Sequence, residues 1–238
     1  MPRHVSLNNV DHANLKVRTE YSADLGDAVM SSPVFPHEFR NVQATYPIVF
    51  SKESSGRFRP IALFGLEKDS NLFLDGEKWD ANYVPMAMRM PPFLIGFAFP
   101  GGGESQMEVH IDIEHPRVSE TEGQPLFLPQ GGQSDFLKQI AGMLTEIHHA
   151  ETNVQSFCAL LDEMDLIEPF SLDVTLDDGM QGRLAGLYTI AEEKLYSLDA
   201  AGLGRLQEHN FLLPIYMAVA SISQFRTLID RRNRKGAP

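Results

Sequence analysis

His110 and Asp112 stand two apart in QMEVHIDI (106–113). On a strand, side chains two apart share a face, and a 2-His-1-carboxylate iron site needs such a pair. A third ligand would come from His148, His149 or His209, and Arg183 could grip a keto acid. The more economical reading is a strand whose polar residues face water. Glu146 and His149 share a helical face as in di-iron bundles, but such sites need a second pair and the sequence has none. Cys158 sits beside apolar Phe157 and reads as an inert, partly buried thiol. No serine occupies a G-x-S-x-G turn. PGGGE (100–104) and QGGQ (130–133) lack the Lys and Ser/Thr of a phosphate loop and read as turns. No cofactor and no metal are expected; His110 and Asp112 are the candidates should a metal be bound.

Trp79, Asp80, Tyr83 and Arg89 are different in kind. They lie in and just after the glycine-containing loop DGEKWDANY, and loops carry function more often than cores do. Exposed Trp, Tyr and Arg together have the composition of a binding hot spot. The alternative is that Trp79 plugs the core from its loop. Arg117 and Glu120 in PRVSETEG (116–123) divide in the same way between a structural ion pair and ligand contacts. These six residues are the binding candidates.

The elements that must carry them follow from periodicity. PHEFRNVQATY (36–46) predicts a short helix ended by Pro47. IVFS (48–51) and RPIALFGL (59–66) predict two strands. FLIGFAF (93–99), a turn at Gly101–Gly103 and QMEVHIDI predict a hairpin. In its second strand Met107, Val109, Ile111 and Ile113 alternate with polar residues. From 134 to 164 one apolar stripe runs through Phe136, Ile140, Ile147, Phe157 and Leu161 at a period near 3.6, with Ser134 as N-cap. A break near His148–Thr152 is allowed by a thin stripe there. A second hairpin spans 170–190 around DDGMQG. A C-terminal helix of about 213–232 presents Ile215, Val219, Ile222, Phe225 and Ile229. Locally paired strands without strand–helix alternation predict an α+β fold. Antiparallel hairpins and sheet should pack on the long helix (about 134–164) and the C-terminal helix. One domain over 1–238 is expected, with residues 1–34 as an irregular arm.

Of the 238 residues, 43% are hydrophobic and 22% charged, which fits a globular protein rather than disorder. A net charge of −12 argues against nucleic acid. Four of the 20 Lys and Arg lie in 231–238, so the remainder is more acidic still. The apolar runs at 93–99 and 211–220 fall short of the roughly 20 residues of a membrane span. MPRHVSLNNVDHANLK has no apolar signal core, and a single cysteine suits a reducing compartment. The expected location is the cytoplasm.

Several blocks are idiosyncratic: YPIVF (46–50), ALFGL (62–66), LFLDGEKWDANYVP (72–85), ID followed by PRVSETEG (111–123), and LAGLYTIAEEKL (184–195). As a set they resemble the bacterial SapC family, over about Phe39 to Leu228. The family name implies a link to cell-surface layers. The resemblance further implies association with TonB-dependent receptors, flavin-dependent tryptophan halogenases and iron oxygenases as genetic neighbours. It supplies no catalytic residues. The expectation is a non-catalytic accessory or binding protein serving a surface-layer or TonB-type uptake system, with a protein partner or small ligand. An iron-dependent oxygenase using His110 and Asp112 is the alternative, and an exported surface-layer component is a third reading.

Overall fold

The structure is a computed structural model describing residues 2–98 and 106–236. The expected Gly101–Gly103 turn and PGGGE lie outside the described residues. The fold is α+β with antiparallel sheets, a long helix and C-terminal helices. Its contacts divide into two compact units.

The first unit comprises Met1–Asp27, Leu74–Trp79 and Met86–His149. The predicted hairpin pairs Phe93–Ala98 with Gln106–Asp112, and His4–Ser6 adds the third strand on the far edge of Gln106–Asp112. Ile111 is fully buried, opposite both Val5 and Phe93. Met107, expected on the same apolar face, is largely exposed near the hairpin end. Lys16–Val17 is clamped between Val118–Ser119 and Gln124–Pro125. The segment expected as an irregular arm thus supplies two short strands to this unit. Gly123 permits the clamp: at φ +103 a Cβ would stand 2.4 Å from the Val17 carbonyl oxygen, so only glycine fits without strain. Val17, Phe93, Ile111, Leu126, Leu137 and Ile140 belong to the core.

The second unit comprises Ala28–Phe73, Asp80–Pro85 and Ala150–Pro238. Its five-stranded sheet has the order Ile167–Thr175, Gln181–Ile190, Ile48–Lys52, Phe58–Leu63, Ser31–Pro33, all antiparallel. The second predicted hairpin and the two predicted strands at 48–51 and 59–66 are there. Tyr46, Phe50, Phe64, Phe73 and Phe157 form an aromatic core, with Phe157 edge-on to Phe39 and Phe211.

The long helix runs unbroken from Asp135 to Glu163. Ser134 caps it, its Oγ accepting from the Leu137 N–H at 3.1 Å. Ile140, Phe157 and Leu161 are buried as predicted, whereas Phe136 and Ile147 are only half-buried at the periphery of the first unit's core. The C-terminal helix is interrupted between Leu212–Ser221 and Gln224–Gly236. Its inward face is Ile215, Ala218, Ser221, Phe225 and Leu228, displaced from the expected stripe. Ser221 explains part of the shift: its Oγ accepts from the Ile48 N–H at 2.8 Å and donates to the Ala218 carbonyl. By length and composition alone residues 212–236 are apolar enough to cross a membrane, and 33% of the most apolar stretch is buried in the fold.

Candidate functional site

The segment 18–27 is placed by one arginine. The Arg117 Nη2 donates to both Asp27 carboxylate oxygens at 2.7 Å, and its Nη1 donates to the carbonyls of Arg18 at 3.0 Å and Glu20 at 2.6 Å. The two charged side chains are 4% and 3% exposed. Two charges can be buried only when hydrogen bonds of this number satisfy them. Burial pushes the Asp27 carboxyl up, against the pull of Arg117. His115 sits beside the pair, its Nδ1 accepting from the Arg117 N–H at 3.2 Å. Burial and the Arg117 charge hold its imidazole below the usual histidine range.

Tyr21 is carried on the same segment. The Arg117 guanidinium lies 5.4 Å from its ring centroid, and the Trp79 ring meets it edge-on at 5.5 Å. Next to Tyr21 opens a cavity of about 140 Å3 in the first unit. Its cationic wall is Arg18, Arg89 and Arg117; its apolar floor is Met88, Phe93, Phe136, Ile140 and Met143. The Phe136 ring lines this opening and is therefore only half-buried. Arg18 is paired to Glu20 and lies 3.8 Å from Glu122. The Arg89 side chain is exposed and has no hydrogen bond or ion pair among the described residues. The Tyr21 hydroxyl likewise has no hydrogen-bond partner among them.

The six binding candidates do not form one surface. Trp79 is buried at 8% exposure with Tyr21 packed edge-on against it; of its two readings the core plug holds, and it presents no binding surface. Asp80 is taken by Arg231, whose Nη1 donates to its carboxylate at 2.7 Å and whose Nη2 donates to its carbonyl at 3.0 Å. Tyr83 donates its hydroxyl to Glu38 at 2.7 Å, and its carbonyl accepts from the Tyr46 hydroxyl. Glu120 is exposed in the turn after Val118–Ser119. Only Arg89 and Arg117 meet, at the cavity. Arg18, Tyr21 and the two methionines were missed by sequence reasoning. The only local hint was the Arg18-x-Glu20-Tyr21 run in a segment without periodicity.

His110 and Asp112 do not complete a facial triad. Asp112 Oδ1 accepts from the backbone N–H groups of Arg3 at 2.8 Å and Glu114 at 3.2 Å. The His110 ring lies over Gly96, where a Cβ would fall 2.0 Å from its Nε2. Among the described residues no group of three or more His, Cys, Asp or Glu is placed to hold a metal ion. Burial pushes the Cys158 thiol up to about 12, so it is not a thiolate nucleophile at neutral pH. It lines a second cavity, of about 280 Å3, whose cations are Arg57, hydrogen-bonded to Ser55, and Arg59, paired with Glu53 and Glu151.

A family model described as SapC matches residues 7–228, most of the chain. The chain belongs to the SapC family. No curated protein and no solved structure matches it. Every residue that lines the arginine-walled cavity falls within the SapC span.

Proposed function

We propose that this SapC-family chain is a non-catalytic binding protein, working from the cytoplasm for a surface-layer or TonB-type uptake system. The observation that supports binding is the cavity walled by Arg18, Arg89 and Arg117. Its lining contains no carboxylate, imidazole or thiol among the described residues. It offers a cation, a phenol and apolar surface, which hold and orient a ligand. General acid–base or nucleophilic work needs groups of another kind. The cellular setting, including a link to TonB-dependent receptors and flavin-dependent tryptophan halogenases, is supported by family membership alone.

One experiment separates a binder from an enzyme. The purified chain is incubated with a small-molecule extract of a SapC-bearing bacterium, then separated by ultrafiltration, and both fractions are read by mass spectrometry. A compound retained unchanged by the wild type and released by Arg89→Glu is the expected result. A compound that disappears while a new one accumulates would replace the binding reading with an enzymatic one.

A further inference from the structure

We infer that the first unit's cavity binds a small monocarboxylic acid with an aromatic or branched apolar body. The inference rests on the binding reading and names its ligand. Three arginines and no acidic side chain line the opening, but two of the three are already engaged. Arg117 is saturated by Asp27 and two backbone carbonyls. Arg18 is held by Glu20. Arg89 alone is left with its guanidinium unanswered among the described residues. One unanswered guanidinium matches one negative charge, and its planar fork fits a carboxylate with two parallel hydrogen bonds. A phosphate monoester would bring about two charges to the same single cation.

Tyr21 supplies the second polar contact. Burial keeps its phenol protonated above the ordinary tyrosine range, so it is a donor, and no described residue accepts from it. Beyond these two groups the floor is mainly thioether and hydrocarbon, from Met88, Phe93, Phe136, Ile140 and Met143, with Gln139 and Thr19 as the other polar side chains of the lining. That apolar floor gains from an apolar body on the ligand. Size narrows the class again. A cavity of about 140 Å3 holds roughly five waters. It is well below the ~300–1,000 Å3 of sites for drug-sized ligands and cofactors. A nucleotide or flavin is too large to be enclosed by it. A C4–C7 acid fits, and the aromatic C-terminal residue of a peptide presents the same chemistry.

The test uses the full chain with its methionine methyl groups labelled with 13C. Met88 and Met143 report on the cavity, and Met217, in the second unit, serves as the control. Benzoate, isovalerate, their neutral amides and the tripeptide Gly-Gly-Phe are titrated to about 10 mM, enough to fill a site of millimolar Kd. The expected result is saturable movement of the Met88 and Met143 methyls with the acids and none with the amides. Arg89→Gln, at an exposed position, should keep the ligand-free spectrum and weaken the acids about tenfold or more, as loss of a charged hydrogen bond does. Tyr21→Phe should weaken them less. Binding by Gly-Gly-Phe and not by benzoate would reassign the ligand to a peptide C-terminus. Equal shifts with benzamide would overturn the carboxylate assignment and leave the binding reading intact. Absence of any shift, or unchanged affinity in Arg89→Gln, would overturn the inference, and the ultrafiltration experiment then judges the binding reading on its own.

Discussion

The Arg117–Asp27 pair shows how one buried ion pair can organise the wall of a cavity. Removing a single partner strands the other, and stranded buried charges cost about 3–5 kcal/mol. Asp27→Ala should therefore lower the denaturation free energy by that order, measured by urea titration. A loss below about 1 kcal/mol would mean that water reaches Arg117. His115 adds a pH dependence. Its folded pKa lies below the ordinary value of about 6.5, so the fold favours the neutral ring. The stability it contributes is complete above that value and is lost as pH falls through the folded pKa. The groups facing it are Arg117, which disfavours the charged ring, and Asp112 and Asp27, which favour it. Between pH 7 and about 5 the urea midpoint should fall, and His115→Gln should flatten that slope. Asp27 acts in the opposite sense at lower pH, since burial has raised its pKa.

Among the elements, the long helix and both hairpins could be read from the sequence because their patterns are local: a 3.6-residue stripe and a period of two. Ser134 announced the helix start in the same way. Leu161→Ala, at a fully buried position, should cost about 2–5 kcal/mol in a thermal or urea melt. What could not be read is what distant pairing creates. Lys16–Val17 is only two residues long and exists as strand because Val118–Ser119 and Gln124–Pro125 hold it. No periodicity can show in so short a run. For Trp79 the sequence left a core plug and an exposed hot spot both open, and the contact with Tyr21, far earlier in the chain, goes with the first. Trp79→Ala should cost about 3–5 kcal/mol. A melt unchanged by that substitution would put the ring back on the surface. Arg89 and Arg117 were singled out for their surroundings in sequence; that they share a cavity depends on Tyr21 and the helix face of Phe136, Ile140 and Met143.

At the scale of the whole molecule, the excess of acid is unevenly answered. The basic C-terminal segment looks in sequence like a free cationic tail, yet Arg231 joins Asp80 and Arg232 joins Glu67 within the second unit. Arg231 also lies over the Phe73 ring at 4.3 Å. Arg231→Ala should destabilise by about 1–2 kcal/mol, mostly through the ring contact and the lost packing of its stem, because a pair with so exposed an acid contributes little.

The burial of Cys158 has a further consequence. It is the chain's single cysteine and lies in the second unit, while the single tryptophan lies in the first. A thiol that is 4% exposed and pushed up to about 12 reacts slowly with a disulfide reagent while the fold is intact and faster once the surrounding structure opens. The rate of its modification is therefore a clock for the second unit, and Trp79 fluorescence is a gauge for the first. No substitution is needed to install either. Followed side by side through a urea titration, the two report whether the chain unfolds in one step or two. Coincident midpoints are expected for a single cooperative domain. Separated midpoints would identify two independently folding units and show which one carries the arginine cavity through the first transition.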